Sequence, residues 1–285
     1  MGHGFGGRRC HTTPRAVTEN MLTRRIFAKT VAAGIGLTGT KAPAAPRIRI
    51  GIGTYTYHNY SLDDMIVRLT ALGMREIEMS RGEFMLMKPP TDEMCKSAKS
   101  KFDHAGIRCV SYYSATIKDD RDLDYAVRFA GLLGSRNISG DATGDMLSKI
   151  DERLSREGLT FGIHNHYFKQ KFAYESPEDV LKALAGRSKT MGSTLDVGHI
   201  ASCGYDTVDA VRKLAPFLKM VHLKDVAASG GEDNVLLGQG IANIPAVMEE
   251  LHKVSYQGLA AIEYEKEGNI DSDIAREVEF ARKLA

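Results

Sequence analysis

The chain has 285 residues, of which 43% are hydrophobic and 26% are charged, so it has enough apolar side chains for a sizeable core. Its apolar runs fall short of the roughly 20 residues that a membrane-spanning helix needs, and we expect no membrane span. From residue 46 onward, 31 Lys and Arg face 35 Asp and Glu. Because nucleic-acid enzymes normally carry a basic surface, this balance argues against a nucleic-acid partner.

Residues 1–45 differ in charge from the rest of the chain and have the composition of an export leader. They hold seven of the 38 Lys and Arg but one of the 36 Asp and Glu. Paired Arg24 and Arg25 precede a mildly apolar, Gly-containing stretch that ends in small residues at Ala45, a pattern that resembles a twin-arginine signal. We therefore expect translation to start at Met21, the twin-arginine export machinery to be a partner, and the protein to be periplasmic or otherwise exported.

From residue 46 to residue 285, short apolar runs alternate with amphipathic stretches. Such alternation predicts a parallel sheet with crossover helices, and eight strands favour an α/β fold of the (β/α)8 TIM-barrel type over a doubly wound sheet. N-cap residues followed by acids predict where helices begin. They are Ser61, Thr91, Ser176, Asp206 and Asn243, and Asp271 opens the last helix. The predicted strands are 47–54, 74–79, 107–112, 136–139, 159–164, 192–197, 218–223 and 258–263.

Four predicted strands end with a potential metal ligand. These are His164 in FGIHNH, Asp196 in STLDVGH, His222 in MVHLKD and Glu263 in AAIEYE. In a parallel barrel the carboxyl ends of successive strands meet at one opening, and alternate residues of a strand point inward. Since all four ligands fall on the inward face of their strands, the sequence predicts one metal ion at the barrel mouth.

Several segments resemble the xylose-isomerase-like barrel family of sugar phosphate isomerases and epimerases, which also includes endonuclease IV. They are DVGHIASCG, VHLKD, LGQGIANIPAVMEEL and GLAAIEYE. The resemblance implies one divalent ion, and Asp196, His222 and Glu263 match family ligands on the sixth, seventh and eighth strands. His164 stands where the family frequently has Glu. The mixed imidazole and carboxylate set suits Mn²⁺ first, with Zn²⁺, Co²⁺ and Fe²⁺ as alternatives to it.

A divalent ion beside a sugar carbonyl would stabilise the enediolate that forms when a base removes the α-proton. We expect Glu263 to be that base, with Glu265 or Glu78 as alternatives. Protonated His199 or Lys224 would neutralise the developing alkoxide or donate a proton. Because epimerases of this family are similar in using two glutamates, His164 in place of one of them weakens the case for two-base epimerisation.

Other residues near the predicted barrel mouth are candidates for contact with the substrate, namely His166, Glu265 and Tyr55. The sequence therefore favours an exported, metal-dependent sugar isomerase or epimerase. A lyase or dehydratase acting on a keto-sugar such as a 3-keto-glycoside needs a base on one face of the substrate only and is the first alternative. A non-catalytic, exported sugar-binding barrel is another. The oligomeric state stays open, and a homo-oligomer is compatible with the sequence.

Overall fold

Eight parallel strands form a closed barrel, as the sequence predicts. The computed structural model describes residues 47–86, 88–142, 144–167 and 174–285, so the predicted export leader at 1–45 lies outside the described residues. Each barrel strand lies within two residues of its predicted bounds. The barrel strands are β1 Arg49–Gly53, β2 Glu76–Met79, β3 Arg108–Tyr113, β4 Asn137–Gly140, β5 Thr160–His164, β6 Met191–Asp196, β7 Leu218–Leu223 and, after a hairpin of β8 Asp225–Val226 and β9 Asn234–Val235, β10 Leu259–Ile262.

Neighbouring strands of the barrel are mostly consecutive in the chain, and β10 pairs with β1 to close it. Helices follow the strands and cover the outside of the barrel. They are α1 Leu62–Ala71, α2 Asp92–Ala105, α3 Asp120–Leu133, α4 Met146–Glu157, α5 Pro177–Leu184, α6 Val197–Ser202, α7 Thr207–Leu214, α8 Ile244–Lys253 and α9 Asp271–Leu284. Within the described residues, none of the helices has both the length and the apolar composition needed to cross a bilayer.

Side-chain caps fix most of the predicted helix starts. Ser61, Thr91 and Asp206 each accept a hydrogen bond from a backbone N–H of the first turn, and Ser176 forms a reciprocal capping box. Asn243 differs, because it adopts a left-handed conformation with φ of 52° and its side chain does not cap α8. The helix bounds are otherwise those that the caps predict.

Two hydrophobic clusters of the core show which way the strand side chains face. The larger part packs the outer faces of the strands against the helices and includes Phe161, Ile163 and Ile262. A smaller, separate cluster contains Met220 and Ala261. Side chains alternate along a strand, so the residues two positions further on, His222 and Glu263, lie on the same inward face at the carboxyl end of the barrel.

Candidate metal centre

The four predicted ligands meet at the carboxyl end of the barrel. His164 ends β5, Asp196 ends β6, His222 lies in β7 and Glu263 follows β10. All four are buried, and one ligand atom from each lies within 4.8 Å of the others. His222 Nδ1 is 3.1 Å from His164 Nε2 and 3.2 Å from Glu263 Oε2. This group could hold a metal ion.

Asp196 provides the clearest sign that the group suits a cation. Its Oδ1 accepts a hydrogen bond from the His199 backbone N–H at the start of α6, and Asn165 exchanges two hydrogen bonds with the Asp196 backbone. Its Oδ2 is buried and makes no hydrogen bond among the described residues, although His164 Nε2 and His222 Nδ1 lie 3.8 and 3.6 Å away. A buried, unsatisfied carboxylate oxygen is costly, and a bound cation would remove that cost.

A hydrogen bond to Glu78 fixes the orientation of the His222 ring. Its Nε2–H donates to Glu78 Oε2 at 2.6 Å, so Nδ1 faces the other three ligands without a proton when the ring is neutral. Glu78 is fully buried, and its Oε1 accepts a hydrogen bond from Ser111 Oγ. The role predicted for Glu78 as a base stays a prediction, but the carboxylate lies on the far side of His222 from the other ligands.

The two ligand histidines differ in charge in the ion-free protein. Burial, together with nearby His166, holds the pKa of His164 well below its ordinary value, so this imidazole is neutral and has a lone pair to give. Burial also lowers the pKa of His222, but the carboxylates of Glu263 and Glu78 outweigh it and raise that pKa well above its ordinary value. A bound metal ion would replace the proton on His222 as the positive charge that balances these carboxylates.

His199 and Lys224 lie next to the ligand group, but in different charge states. Burial lowers the pKa of His199 to about 4, so this imidazole is neutral at neutral pH in the ion-free protein, and the role predicted for it as a proton donor stays a prediction. Burial also lowers the pKa of Lys224, but nearby Glu265 and Asp196 outweigh it and raise that pKa, so the ammonium stays charged. Lys224 Nζ lies 2.6 Å from Glu265 Oε1 and 3.9 Å from Glu263 Oε2.

A cavity of about 580 Å³ opens above the centre. The predicted substrate contacts Tyr55, His166 and Glu265 line it, as does Glu263. The sequence reasoning missed Tyr113, whose hydroxyl lies 3.1 Å from His166 Nε2 on the cavity wall. Its inward position at the end of β3 is the signal that could have identified it.

The fold and the site together define a TIM-barrel protein with a buried His-Asp-His-Glu group at the carboxyl ends of its strands. A sequence profile described as xylose isomerase-like TIM barrel matches residues 135–284. The chain belongs to the xylose isomerase-like TIM barrel family, which confirms the resemblance seen in the sequence.

Individual relatives extend this likeness. The rhizopine catabolism protein MocC of Rhizobium meliloti is 29% identical over 150 residues, which are 47% of this chain and 45% of that protein. A D-tagatose 3-epimerase-like protein superposes with a TM-score of 0.68 at 17% identity, covering 83% of this chain and 97% of its own. The 3-keto-D-glucoside 4-epimerase of E. coli gives 0.66 at 13% identity, covering 84% and 100%. The match to MocC spans less than half of that relative, and at these identities the structural likeness shows the fold.

Proposed function

We propose that the chain is a divalent-metal-dependent enzyme of the sugar isomerase or epimerase type that removes a proton next to a sugar carbonyl. The observation that carries this proposal is that Glu263 belongs both to the buried ligand group and to the wall of the cavity above it. The structural relatives named for sugar epimerases support a sugar substrate. The two imidazoles and two carboxylates suit Mn²⁺ first, then Zn²⁺, Co²⁺ or Fe²⁺.

A bound divalent ion would supply Lewis-acid polarisation of the substrate carbonyl. Glu263 is the residue best suited to take the α-proton. Burial raises its pKa, but His222 and Lys224 outweigh that effect and lower the pKa, so the carboxylate is ionised at neutral pH and can act as a base. The charged Lys224 nearby would stabilise negative charge that develops on the substrate.

The outcome depends on where the proton returns. Delivery from Glu263 to the neighbouring carbon on the same face gives an isomer, whereas epimerisation needs a donor on the opposite face. Of the carboxylates among the described cavity-lining residues, Glu263 and Glu265 come from one strand end, and Asp119 and Asp122 lie at the start of α3. Both Asp side chains accept backbone hydrogen bonds at that helix start, so the two Glu side chains from one strand end are the favoured bases, and proton transfer on a single face follows.

The same distribution makes elimination the second candidate. A lyase acting on a keto-sugar, such as a 3-keto-glycoside, would need Glu263 to remove the α-proton while the substituent on the β-carbon leaves with the bonding electrons. The product would be an unsaturated sugar and a released aglycone. No base on the opposite face is required for this reaction.

Hydrogen exchange tests the proposal whichever product forms. Mn²⁺-loaded protein is incubated in D₂O with ketoses, aldoses and a 3-keto-glucoside, and NMR follows each carbon. We expect deuterium next to the carbonyl and an isomeric sugar, with exchange slowed by about 10²-fold or more in Glu263→Gln. Glu267→Gln, a solvent-exposed change on the same loop, is the matched control.

Two other results would replace the proposal. Release of an aglycone with formation of an unsaturated sugar would identify a lyase. The same experiment is repeated with Zn²⁺, Co²⁺ and Fe²⁺. A sugar that binds but shows no exchange at any carbon with any of these ions or Mn²⁺ would indicate a non-catalytic sugar-binding barrel.

A further inference from the structure

The cavity continues well beyond the metal centre. It extends from His164 and Glu263 past Tyr113 to Lys118 and Arg121 at the start of α3. Its volume of about 580 Å³ falls within the range of about 300–1,000 Å³ typical of pockets for drug-sized ligands. A pocket of this size has room for a substrate larger than one sugar ring, and the part of it next to Met85, Leu86, Ala115 and Lys118 is called the outer part here.

The wall of this outer part is apolar. Met85, Tyr113 and Ala115 form a small hydrophobic cluster separate from the main core, and Leu86 lies beside them on the cavity surface. Met85, Tyr113 and Ala115 expose only 6%, 9% and 8% of their surface, and all three line the cavity, so they give it a firmly packed apolar wall. A thioether such as that of Met85 makes favourable contacts with flat rings.

The backbone holds this wall in place. Ala115 has φ of 53°, a left-handed conformation that is uncommon for alanine, and its carbonyl oxygen packs on Gly140. A Cβ at Gly140 would come within 2.5 Å of that oxygen, and Gly140 itself has φ of 152°. Because Gly140 has no Cβ, the loop between β3 and α3 can pack against it and place Ala115 on the cavity wall.

Two basic and two acidic side chains line the far end of the cavity: Lys118, Arg121, Asp119 and Asp122. Asp119 Oδ1 caps α3 by accepting from the Asp122 N–H, and Asp122 Oδ2 accepts from the Lys118 N–H, so both acids are used by the backbone. Arg121 lies 3.8 Å from Asp119. Lys118 makes no side-chain ion pair within the part of the chain that the structure describes, and its ammonium is exposed at the rim.

We propose that this outer chamber, formed by Met85, Leu86, Ala115 and Lys118, binds the second ring of a glycoside whose first ring lies at the metal centre. The second ring packs one flat face on Met85, Leu86 and Ala115, and an oxygen on its far side accepts a hydrogen bond from Lys118. The inference rests on the proposed function, because it assumes that a sugar occupies the inner part of the cavity. It assigns the substrate class as glycosides rather than free monosaccharides.

Calorimetric binding to the Mn²⁺-loaded protein tests the chamber apart from catalysis. The probes are methyl β-D-glucoside, which lacks a second ring, and phenyl β-D-glucoside and cellobiose, which carry an aromatic ring and a sugar ring. We expect at least one of the two-ring probes to bind about tenfold more tightly than the methyl glucoside. The tighter of the two identifies the kind of second ring.

Variants then locate the effect. Met85→Ala with Leu86→Ala should remove most of the two-ring advantage and leave methyl glucoside affinity unchanged within about twofold. The matched control, Val67→Ala with Met94→Ala at exposed positions on α1 and α2, should change neither affinity. Leu86→Trp, which fills the chamber, should weaken the two-ring probes alone. Unchanged methyl glucoside binding shows that each variant is folded.

Equal affinity for all three probes would refute the proposal that the chamber binds a second ring. An equal loss of affinity for all three probes in the Met85→Ala/Leu86→Ala variant would refute it as well. Deuterium exchange into a monosaccharide without any two-ring preference would refute the chamber and leave the proposed enzyme standing. A two-ring preference without exchange into any sugar would support the chamber and refute the enzyme.

Discussion

Glu78 Oε2 lies 2.6 Å from His222 Nε2, although 144 residues separate the two in the chain. The contact crosses the inside of the barrel from β2 to β7. Glu78 accepts a hydrogen bond from the Ser111 hydroxyl. That hydroxyl is hydrogen-bonded to the Ser139 hydroxyl, which is in turn hydrogen-bonded to the Thr194 hydroxyl. A chain of hydroxyls on three other strands thus fixes the carboxylate that orients a candidate metal ligand.

Replacing Glu78 by Gln should weaken metal binding by about 10–100-fold. A carboxylate can only accept from His222, whereas an amide can also donate, which would move the imidazole proton to Nδ1 and direct it at the centre. Competition with a metal-binding dye measures the affinity. Glu76→Gln, at the other end of the same strand, should leave the affinity unchanged, and an equal loss in both variants would contradict the orienting role.

Gly162 should not tolerate a side chain. A Cβ at this position would lie 2.2 Å from Thr194 Oγ1, one of the hydroxyls in the chain that leads to Glu78. Gly162→Ala should therefore lower the free energy of unfolding by about 1–3 kcal/mol, as measured by urea denaturation. Gly131→Ala in α3, where nothing lies within 4 Å, should be neutral or stabilising. A neutral Gly162→Ala would show that the interior can rearrange.

Glu277 should make stability depend on pH. Burial raises its pKa to about 8 from 4.5; its Oε1 accepts from the Leu237 N–H, and its Oε2 has no partner among the described residues. Between these two pH values the folded chain keeps a proton that the unfolded chain has lost, so stability decreases as pH rises through this window.

Glu277→Gln should remove that slope, and thermal melting from pH 5 to pH 9 measures it. The variant should match the native protein near pH 5 and exceed its stability by a few kcal/mol near pH 9. Glu279→Gln, an exposed change on the same helix, should keep the native slope. Parallel curves for the native chain and Glu277→Gln would contradict the assignment.

The predicted export signal gives a prediction of another kind. In a fusion of residues 1–45 to a reporter, Arg24→Lys with Arg25→Lys should leave the reporter in the cytoplasm, since twin-arginine signals require the arginine pair. The chain also contains the pair Arg8 and Arg9, and replacing these by Lys should leave export unchanged, because Met21 is the expected start. Export that survives loss of Arg24 and Arg25 would refute the signal.

The sequence predicts the barrel and the ligand group well because both depend on local patterns. Strand ends such as His164 and Glu263 are visible as the last residues of apolar runs, and a parallel barrel brings such ends together. The position of Glu78 behind His222 could not be predicted, since it depends on the register of β2 against β3. The neutral state of His199 likewise results from burial, which no local pattern reveals.

The central claim is that one divalent ion is held by His164, Asp196, His222 and Glu263. Elemental analysis of purified protein, equilibrated with Mn²⁺ and then freed of unbound metal, tests it most directly. The account predicts about one ion per native chain and much less in Asp196→Ala and in His222→Ala, with both variants still folded by circular dichroism. Metal content that is the same in the native chain and both variants would contradict it.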